Sequence, residues 1–97
     1  MIYGFHPAAE AEHLEQVAYY ELQRKGLGAS YIAAVEGALQ VICGAPHRYP
    51  IERRPNIRRF GLKKFPYTLI YRETSGRVQV LAVAHHRRRP GYWFARA

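Results

Sequence analysis

The first half of the chain contains a short β-prone run, followed by apolar residues spaced as on a helix. Residues 1–5 (MIYGF) favour a strand and are stopped by Pro7, so we predict a strand over residues 1–5. The apolar positions that follow recur every three or four residues: Ala11, Leu14, Ala18 and Leu22. This period predicts one face of a helix over about residues 7–25, with Pro7 in its first turn.

A second apolar stripe predicts a second helix, which opens at Ala29 or Ser30 and ends at Gly44 and Pro46. The stripe consists of four residues: Ile32, Val35, Leu39 and Ile42. Only the short segment KGLG separates the two helices, so we expect them to lie antiparallel as a hairpin.

In the second half of the chain, the hydrophobic period changes from that of helices to that of strands. Residues 45–56 hold three prolines and no periodicity, which predicts a loop. Strands are then predicted over residues 57–64, 67–72 and 77–84, with a turn at Ser75-Gly76 between the last two.

The last predicted strand is apolar on both faces. Val78, Val80 and Ala82 alternate on one face, and Leu81 and Val83 occupy the other, a pattern typical of a central strand covered on both sides. The full order predicts one α+β domain over residues 1–97. We expect β-α-α-β-β-β, a helical hairpin packed on a small, mostly antiparallel four-stranded sheet.

Charge is distributed unevenly along the 97 residues, whose formal net charge is +8. Residues 1–47 carry a net charge of −3 and residues 48–97 one of +11. A basic half of this strength indicates an anionic partner, such as a nucleic acid, an enzyme that acts on nucleic acid, or an acidic protein.

Composition excludes several classes of protein. A hydrophobic content of 48% excludes a disordered polar chain. No run of 18 apolar residues and no secretory signal is visible, so no membrane partner is expected. The single cysteine, Cys43, has no internal disulfide partner and lies near the second apolar stripe, which favours a buried thiol and a cytoplasmic protein.

The histidines do not indicate a metal site. They are His6, His13, His47, His85 and His86. No pair has the spacing of zinc ligands, and no glycine-rich phosphate loop follows a strand, so we expect no metal and no cofactor. Neighbouring residues on a strand point to opposite faces, so at most one of His85 and His86 is expected to be catalytic.

Several segments, taken in order, resemble the RelE/ParE toxin superfamily. FHPAAEAEHLEQVAYYE is similar to the opening strand and first helix of that family, and GLGASYIAAVEGALQVICGAPHRYP to the second helix and the loop after it. FPYTLIYR and VQVLAVAHHRRRPGYW resemble its third and fourth strands and its C-terminal tail. The resemblance covers essentially the whole chain and is greater to the ParE, plasmid-stabilisation branch than to the RelE branch.

The resemblance implies the toxin of a type II toxin–antitoxin system that arrests growth. It also implies a cognate antitoxin as partner, expected to bind through an acidic or amphipathic segment and to form a hetero-oligomer with the toxin. Members of the ParE branch poison DNA gyrase and are not known to be hydrolases, whereas the RelE branch cleaves mRNA on the ribosome. We expect a ParE-like gyrase inhibitor, with a RelE-like mRNA endonuclease or a plain nucleic-acid-binding module as alternatives.

Whether the chain is an enzyme stays open. If it cleaves RNA, the resemblance together with the side-chain chemistry points to six residues: Lys63, Lys64, His85, His86, Arg87 and Tyr92. The RelE branch has an arginine directly after the tyrosine of its third strand, where this chain has Thr68 after Tyr67. Losing that cation removes about 3 kcal/mol of transition-state stabilisation, which argues against RNA cleavage.

The remaining basic and aromatic residues favour binding, because arginine suits carboxylates and phosphates and aromatic rings anchor interfaces. The candidates for contact with target or antitoxin are Arg53, Arg54, Arg58, Arg59, Arg87, Arg88, Arg89, Tyr92 and Trp93. If the second and fourth strands are neighbours, the two arginine groups share one surface.

Overall fold

The structure, a computed structural model that describes residues 2–97, keeps the predicted order of elements and adds one strand. Residue 1, predicted to belong to the first strand, lies outside the described residues. The elements are β1 (Ile2–Phe5), α1 (Pro7–Gln23), α2 (Leu27–Gly44), β2 (Ile51–Arg53), β3 (Ile57–Gly61), β4 (Tyr67–Thr74) and β5 (Arg77–His85), followed by a 3-10 turn over Phe94–Arg96.

The five strands form one mixed sheet in the order β1-β5-β4-β3-β2. β1 runs parallel to β5, and the other neighbouring pairs are antiparallel. The α+β class is therefore confirmed, whereas the predicted number of four strands is wrong. The extra strand is β2, which lies inside the predicted loop and pairs with β3. All three of its residues are exposed, so no alternation of buried and exposed positions marks β2 in the sequence.

α2 begins at Leu27, earlier than the predicted first residue, Ala29 or Ser30. The reason is a cap supplied by α1. The Glu21 carboxylate accepts hydrogen bonds from the backbone N–H groups of Gly26, at 3.1 Å, and Gly28, at 3.0 Å. These contacts satisfy N–H groups that the first turn of a helix leaves without partners, and a carboxylate also suits the positive end of the helix dipole.

The apolar stripe predicted on α1 faces solvent. Leu14 is 61% and Leu22 87% exposed, and Ala11 and Ala18 are exposed with them. The face that packs against the sheet carries mainly polar and aromatic side chains: Ala9, Glu12, His13, Gln16, Val17 and Tyr20. Two of these polar side chains bind the backbone of β5, so hydrogen bonding rather than hydrophobicity orients the helix.

The main core lies between the helical hairpin and one face of the sheet. Tyr31 of α2 is fully buried at its centre, with its ring centroid 5.1 Å from that of Phe65 and 5.4 Å from that of Tyr67. The Tyr31 hydroxyl donates a hydrogen bond to Gln16 of α1, and burial raises the pKa of that phenol. From the predicted α2 stripe, Val35, Leu39 and Ile42 are buried, and Ile32 is half-buried.

A register shift in the β4–β5 pair divides β5 between two cores. Ile70 pairs with Ala82 and Tyr71 with Val80, so Leu81 is an extra residue in β5. The predicted alternation of β5 residues between the two faces of the sheet therefore holds only as far as Val80. The second core lies on the outer face of the sheet, opposite the helices, and consists of Ile57, Ile70, Leu81, Ala82 and Trp93. The prediction that this strand is covered on both sides is confirmed.

α2 (Leu27–Gly44) is long and apolar enough to cross a membrane, by length and composition alone. In the fold, however, Val35, Leu39 and Ile42 of this helix pack in the main core against the sheet. A core helix of a globular protein can have the same length and composition.

Candidate functional site

The chain after β5 folds back across the outer face of the sheet. Trp93 is only 2% exposed there, because its ring covers Ile70 and Leu81 in the second core. Gly91 makes the bend possible. Its φ is +76°, and a Cβ atom at this position would lie 2.7 Å from the Phe94 ring. We call residues 86–97 the tail.

An ion pair attaches the end of the tail to α1. Arg96 donates two hydrogen bonds to the Glu12 carboxylate, at 2.9 and 3.0 Å, and a third to the Leu81 carbonyl, at 3.0 Å. Both charged side chains are largely buried, with 16% and 14% of their surfaces exposed. The hydrogen bonds to Glu12 raise the pKa of Arg96. This bidentate geometry is that of a strong charge-assisted pair, and it fixes where the tail lies.

Between the tail and the sheet lies a cavity of about 270 Å³, which we call the tail pocket. Its cationic and histidine side chains are Arg59, His85, His86, Arg88 and Arg89. Thr68 and Ile70 of β4 also line it, and Glu52 is its one acidic residue within residues 2–97. β3 and the tail therefore bring three arginines to one concave surface, which is suited to an anionic partner.

The predicted arginine groups come together in part, but not through neighbouring strands as expected. β3 and β5 are not neighbours, because β4 lies between them. The tail instead carries Arg88 and Arg89 across to Arg59, so that all three line the tail pocket. The remaining arginines do not line it. Arg58 donates to the Tyr49 carbonyl at 2.7 Å, Arg53 lies 4.0 Å from the centroid of the Phe94 ring, and Arg54 and Arg87 are exposed.

The six residues considered for RNA cleavage are not all brought to one place. Lys63 and Lys64 line a groove beside α2, whereas His85, His86 and Tyr92 line the tail pocket, and Arg87 lines neither. His85 Nδ1 accepts a hydrogen bond from the Arg87 N–H at 3.0 Å, and its other ring nitrogen, Nε2, takes no part in that bond.

Tyr92 lies in an environment unsuited to a general base. The Arg88 guanidinium lies 3.9 Å from the centroid of its ring, and the Arg96 guanidinium 5.1 Å from it. Its hydroxyl is buried and makes no hydrogen bond within the described residues. Burial and the nearby Glu12 carboxylate raise the pKa of Tyr92, against the smaller opposing effect of the two arginines. A phenol held in its neutral form does not remove a proton readily.

A larger cavity than the tail pocket, about 710 Å³, is the groove beside α2. We call it the α2 groove. α2 contributes a row of small residues to one wall, and β3 with the loop after it forms the other wall through Phe60, Gly61, Leu62 and Phe65. Arg24, Lys63 and Lys64 place positive charge at its rim. The small residues are Ala33, Ala34, Gly37 and Ala38, and Val41, which is 49% exposed, follows them.

Only part of this groove has a signal in the sequence. Ala34 and Ala38 are small residues four apart on α2, which leaves room for a close neighbour, and both line the groove. The opposite wall, formed by β3 and the loop after it, cannot be predicted from the sequence, because it depends on the distance between that loop and α2. Within residues 2–97, no three histidine, cysteine, aspartate or glutamate side chains converge as metal ligands would.

Comparison with known proteins gives a consistent result. A sequence profile of the family described as "ParE toxin of type II toxin-antitoxin system, parDE" matches residues 3–90. No curated protein sequence matches the chain. Among solved structures, a chain of a chromosomal ParDE TA system from P. aeruginosa is similar, with a TM-score of 0.63, 16% identity, and coverage of 88% of this chain and 95% of that one. At that identity the structural likeness concerns the fold.

Proposed function

Because this chain belongs to the ParE toxin family of type II toxin–antitoxin systems, we propose that it arrests bacterial growth by binding and inhibiting DNA gyrase. We also propose that it acts in the cytoplasm, where gyrase is found, and that a cognate antitoxin holds it inactive. The observation that carries this proposal is the family match over residues 3–90, which includes both helices and, except for Ile2, all five strands.

Three features of the site support gyrase binding over RNA cleavage. Thr68 lines the tail pocket at the position where the RelE branch has an arginine, so the pocket lacks that cation. Lys63 and Lys64 line the α2 groove rather than the tail pocket. The pKa of Tyr92 is raised, which opposes a role as general base. What remains is a basic concave surface, suited to binding rather than to proton transfer.

For the antitoxin, we propose that an amphipathic, acidic segment occupies the α2 groove. A row of small side chains lets another backbone approach α2 closely, and apolar residues such as Val41 and Phe60 offer surface to bury. The rim charges of Arg24, Lys63 and Lys64 complement acidic residues on such a segment, which speeds encounter and fixes its register. The resulting complex is a hetero-oligomer of toxin and antitoxin.

The proposal is tested by inducing the chain alone in bacteria that carry a DNA-damage reporter. We expect growth arrest with the reporter switched on, because a poisoned gyrase leaves broken DNA. Purified protein should also inhibit supercoiling by gyrase. If growth stopped with the reporter off and mRNA was cleaved, the target would be mRNA and not gyrase. If growth continued unimpaired, the chain would not be a toxin.

A matched pair of variants locates the target surface. Arg89 lines the tail pocket, and Arg48 is an equally exposed arginine outside it. We expect Arg89→Ala to weaken gyrase inhibition by about tenfold, the loss typical of one charge-assisted contact. Arg48→Ala should inhibit gyrase as the unmodified protein does. Equal effects of the two substitutions would show that net charge, rather than the tail pocket, determines binding.

A further inference from the structure

A second polar cavity lies on the outer face of the sheet, beside β1. Its volume is about 460 Å³, and we call it the β1 pocket. The side chains that line it include two guanidinium groups, an amide and a hydroxyl, from Asn56, Arg72, Thr74 and Arg77. Gln79 completes the polar lining. Within residues 2–97, no acidic residue lines the β1 pocket.

Strand register places these groups side by side. Thr74 pairs with Arg77 and Arg72 with Gln79 across the β4–β5 ladder. Residues two apart on a strand share a face, so all four side chains stand on the outer face of the sheet. Arg72 and Arg77 are diagonal neighbours, and such positions lie about 7–8 Å apart at the backbone, within reach of one ligand for long side chains.

Neither arginine pairs with an aspartate or glutamate side chain among the described residues. Arg72 donates to Gln79 Oε1 at 3.2 Å and to the main-chain oxygen of Ala97 at 3.4 Å. The Arg77 guanidinium makes no ion pair and no side-chain hydrogen bond within residues 2–97. The one acidic residue on this part of β4, Glu73, binds His47 and the Gly76 N–H. Two like charges therefore stand at diagonal positions with no acidic side chain lining the cavity beside them, an arrangement that attracts an anion.

Gly4 of β1 makes room for Arg77. Gly4 pairs with Gln79 on β5, and a Cβ atom at residue 4 would lie 3.3 Å from Nη2 of Arg77. The guanidinium therefore lies across β1 at a position where any larger residue would crowd it. Gly4 and Arg77 both line the β1 pocket.

We propose that the β1 pocket binds a phosphate group, held by the guanidinium groups of Arg72 and Arg77. Two full positive charges match the dianionic charge of phosphate better than the single charge of a carboxylate. The additional donors, Asn56, Thr74 and Gln79, suit a group with three or more acceptor oxygens. The site is separate from the tail pocket, with which it shares no lining residue, and does not depend on gyrase as target.

The test is a titration of the purified full chain followed by the backbone amide signals of Thr74 and residues 77–79 in NMR spectra. The probes are inorganic phosphate, adenosine 5′-monophosphate and acetate, each added at constant ionic strength against chloride. We expect saturable shifts with both phosphate probes and weaker, non-saturating shifts with acetate. Tighter binding of the nucleotide would identify a nucleotide as the source of the phosphate group, and equal binding would identify the phosphate group alone.

Matched variants separate a specific site from general attraction to a basic protein. Arg77→Gln and Gly4→Ala should each weaken phosphate binding, the first by about tenfold. Arg48→Gln removes the same charge from an exposed position outside the β1 pocket and should leave binding unchanged. Any of three results would overturn the proposal: shifts that never saturate, shifts that decrease equally in Arg77→Gln and Arg48→Gln, or shifts that are as large with acetate as with phosphate.

Discussion

At the scale of single residues, two side chains of α1 make the backbone hydrogen bonds to β5 that a neighbouring strand would otherwise make. β1 pairs with β5 only as far as Val80, so the β5 edge beyond that residue faces α1. Glu12 Oε1 accepts a hydrogen bond from the Val83 N–H at 3.1 Å, and Gln16 Nε2 donates one to the Val83 carbonyl at 3.1 Å. A neighbouring strand would make the same two contacts, so the backbone of Val83 is satisfied although its strand partner has ended.

His13, on the same face of α1, makes stability depend on pH. Its ring stacks on Phe5 at 5.5 Å and lies 5.6 Å from Tyr31, and its buried Nδ1 has no hydrogen-bond partner within the described residues. Burial lowers the pKa of His13 below its ordinary value of 6.5, against the weaker raising effects of Glu36 and Glu10.

The sign of the pH effect follows from this lowered pKa. Below pH 6.5 the unfolded chain binds a proton at His13 that the folded chain still excludes, so the free energy of unfolding decreases as pH falls through that window. We expect the midpoint of thermal unfolding to drop less on acidification in His13→Phe than in the unmodified protein. The exposed His86→Gln serves as control. An identical drop in all three proteins would assign the pH dependence to other groups.

At the scale of elements, the tail is the segment whose position the sequence indicated least. Trp93 and Phe94 are adjacent aromatic residues in a basic segment, yet Trp93 is buried and Phe94 is 49% exposed. Their placement depends on the Gly91 bend and on the Arg96–Glu12 pair, which joins residues far apart in the chain. Local periodicity contains no information about such a pair, whereas it does predict β4 and β5, whose apolar residues follow the period of a strand.

The Arg96–Glu12 pair is tested through the tail that it holds. Glu12→Gln removes the charge that faces Arg96, and we expect a loss of about 2–3 kcal/mol, because one largely buried guanidinium remains without its counter-charge. Trp93 is the only tryptophan, so a tail that leaves the sheet shifts its fluorescence to longer wavelength.

The matched control for this substitution is Glu15→Gln, which removes an exposed charge from the same helix. It should change neither the free energy of unfolding in denaturant nor the tryptophan emission. If Glu12→Gln behaved in the same way as this control, the ion pair would not hold the tail.

At the scale of the whole molecule, the surfaces proposed for the antitoxin and for the target lie on opposite sides of one sheet. The α2 groove is formed on the helix side, and the tail pocket lies on the outer face. The charge asymmetry of the sequence predicted a basic surface but not this division. Charge counts assign Lys63 and the tail arginines to one half of the chain, whereas the fold places them at different cavities.

This division predicts that neutralisation and toxicity can be separated by one substitution. A Cβ atom at Gly37 would meet nothing within 4 Å, so Gly37→Leu fits the fold and fills the α2 groove. We expect cells to stay sensitive to this variant, while co-expressed antitoxin no longer restores growth and its affinity falls by about 100-fold. Ala29→Leu, an exposed position on α2 outside the groove, should remain neutralised. Normal neutralisation of Gly37→Leu would place the antitoxin elsewhere.

The parallel pairing of β1 with β5 has a consequence for synthesis of the protein. Residues 2–5 are among the first to be translated, but they pair with residues 77–80, and Glu12 binds Arg96. The β1 edge of the sheet and the tail therefore cannot form while the ribosome still holds the later residues, since contacts of such long sequence separation form late. A nascent chain therefore lacks the basic pocket between tail and sheet until residues 86–97 have left the ribosome.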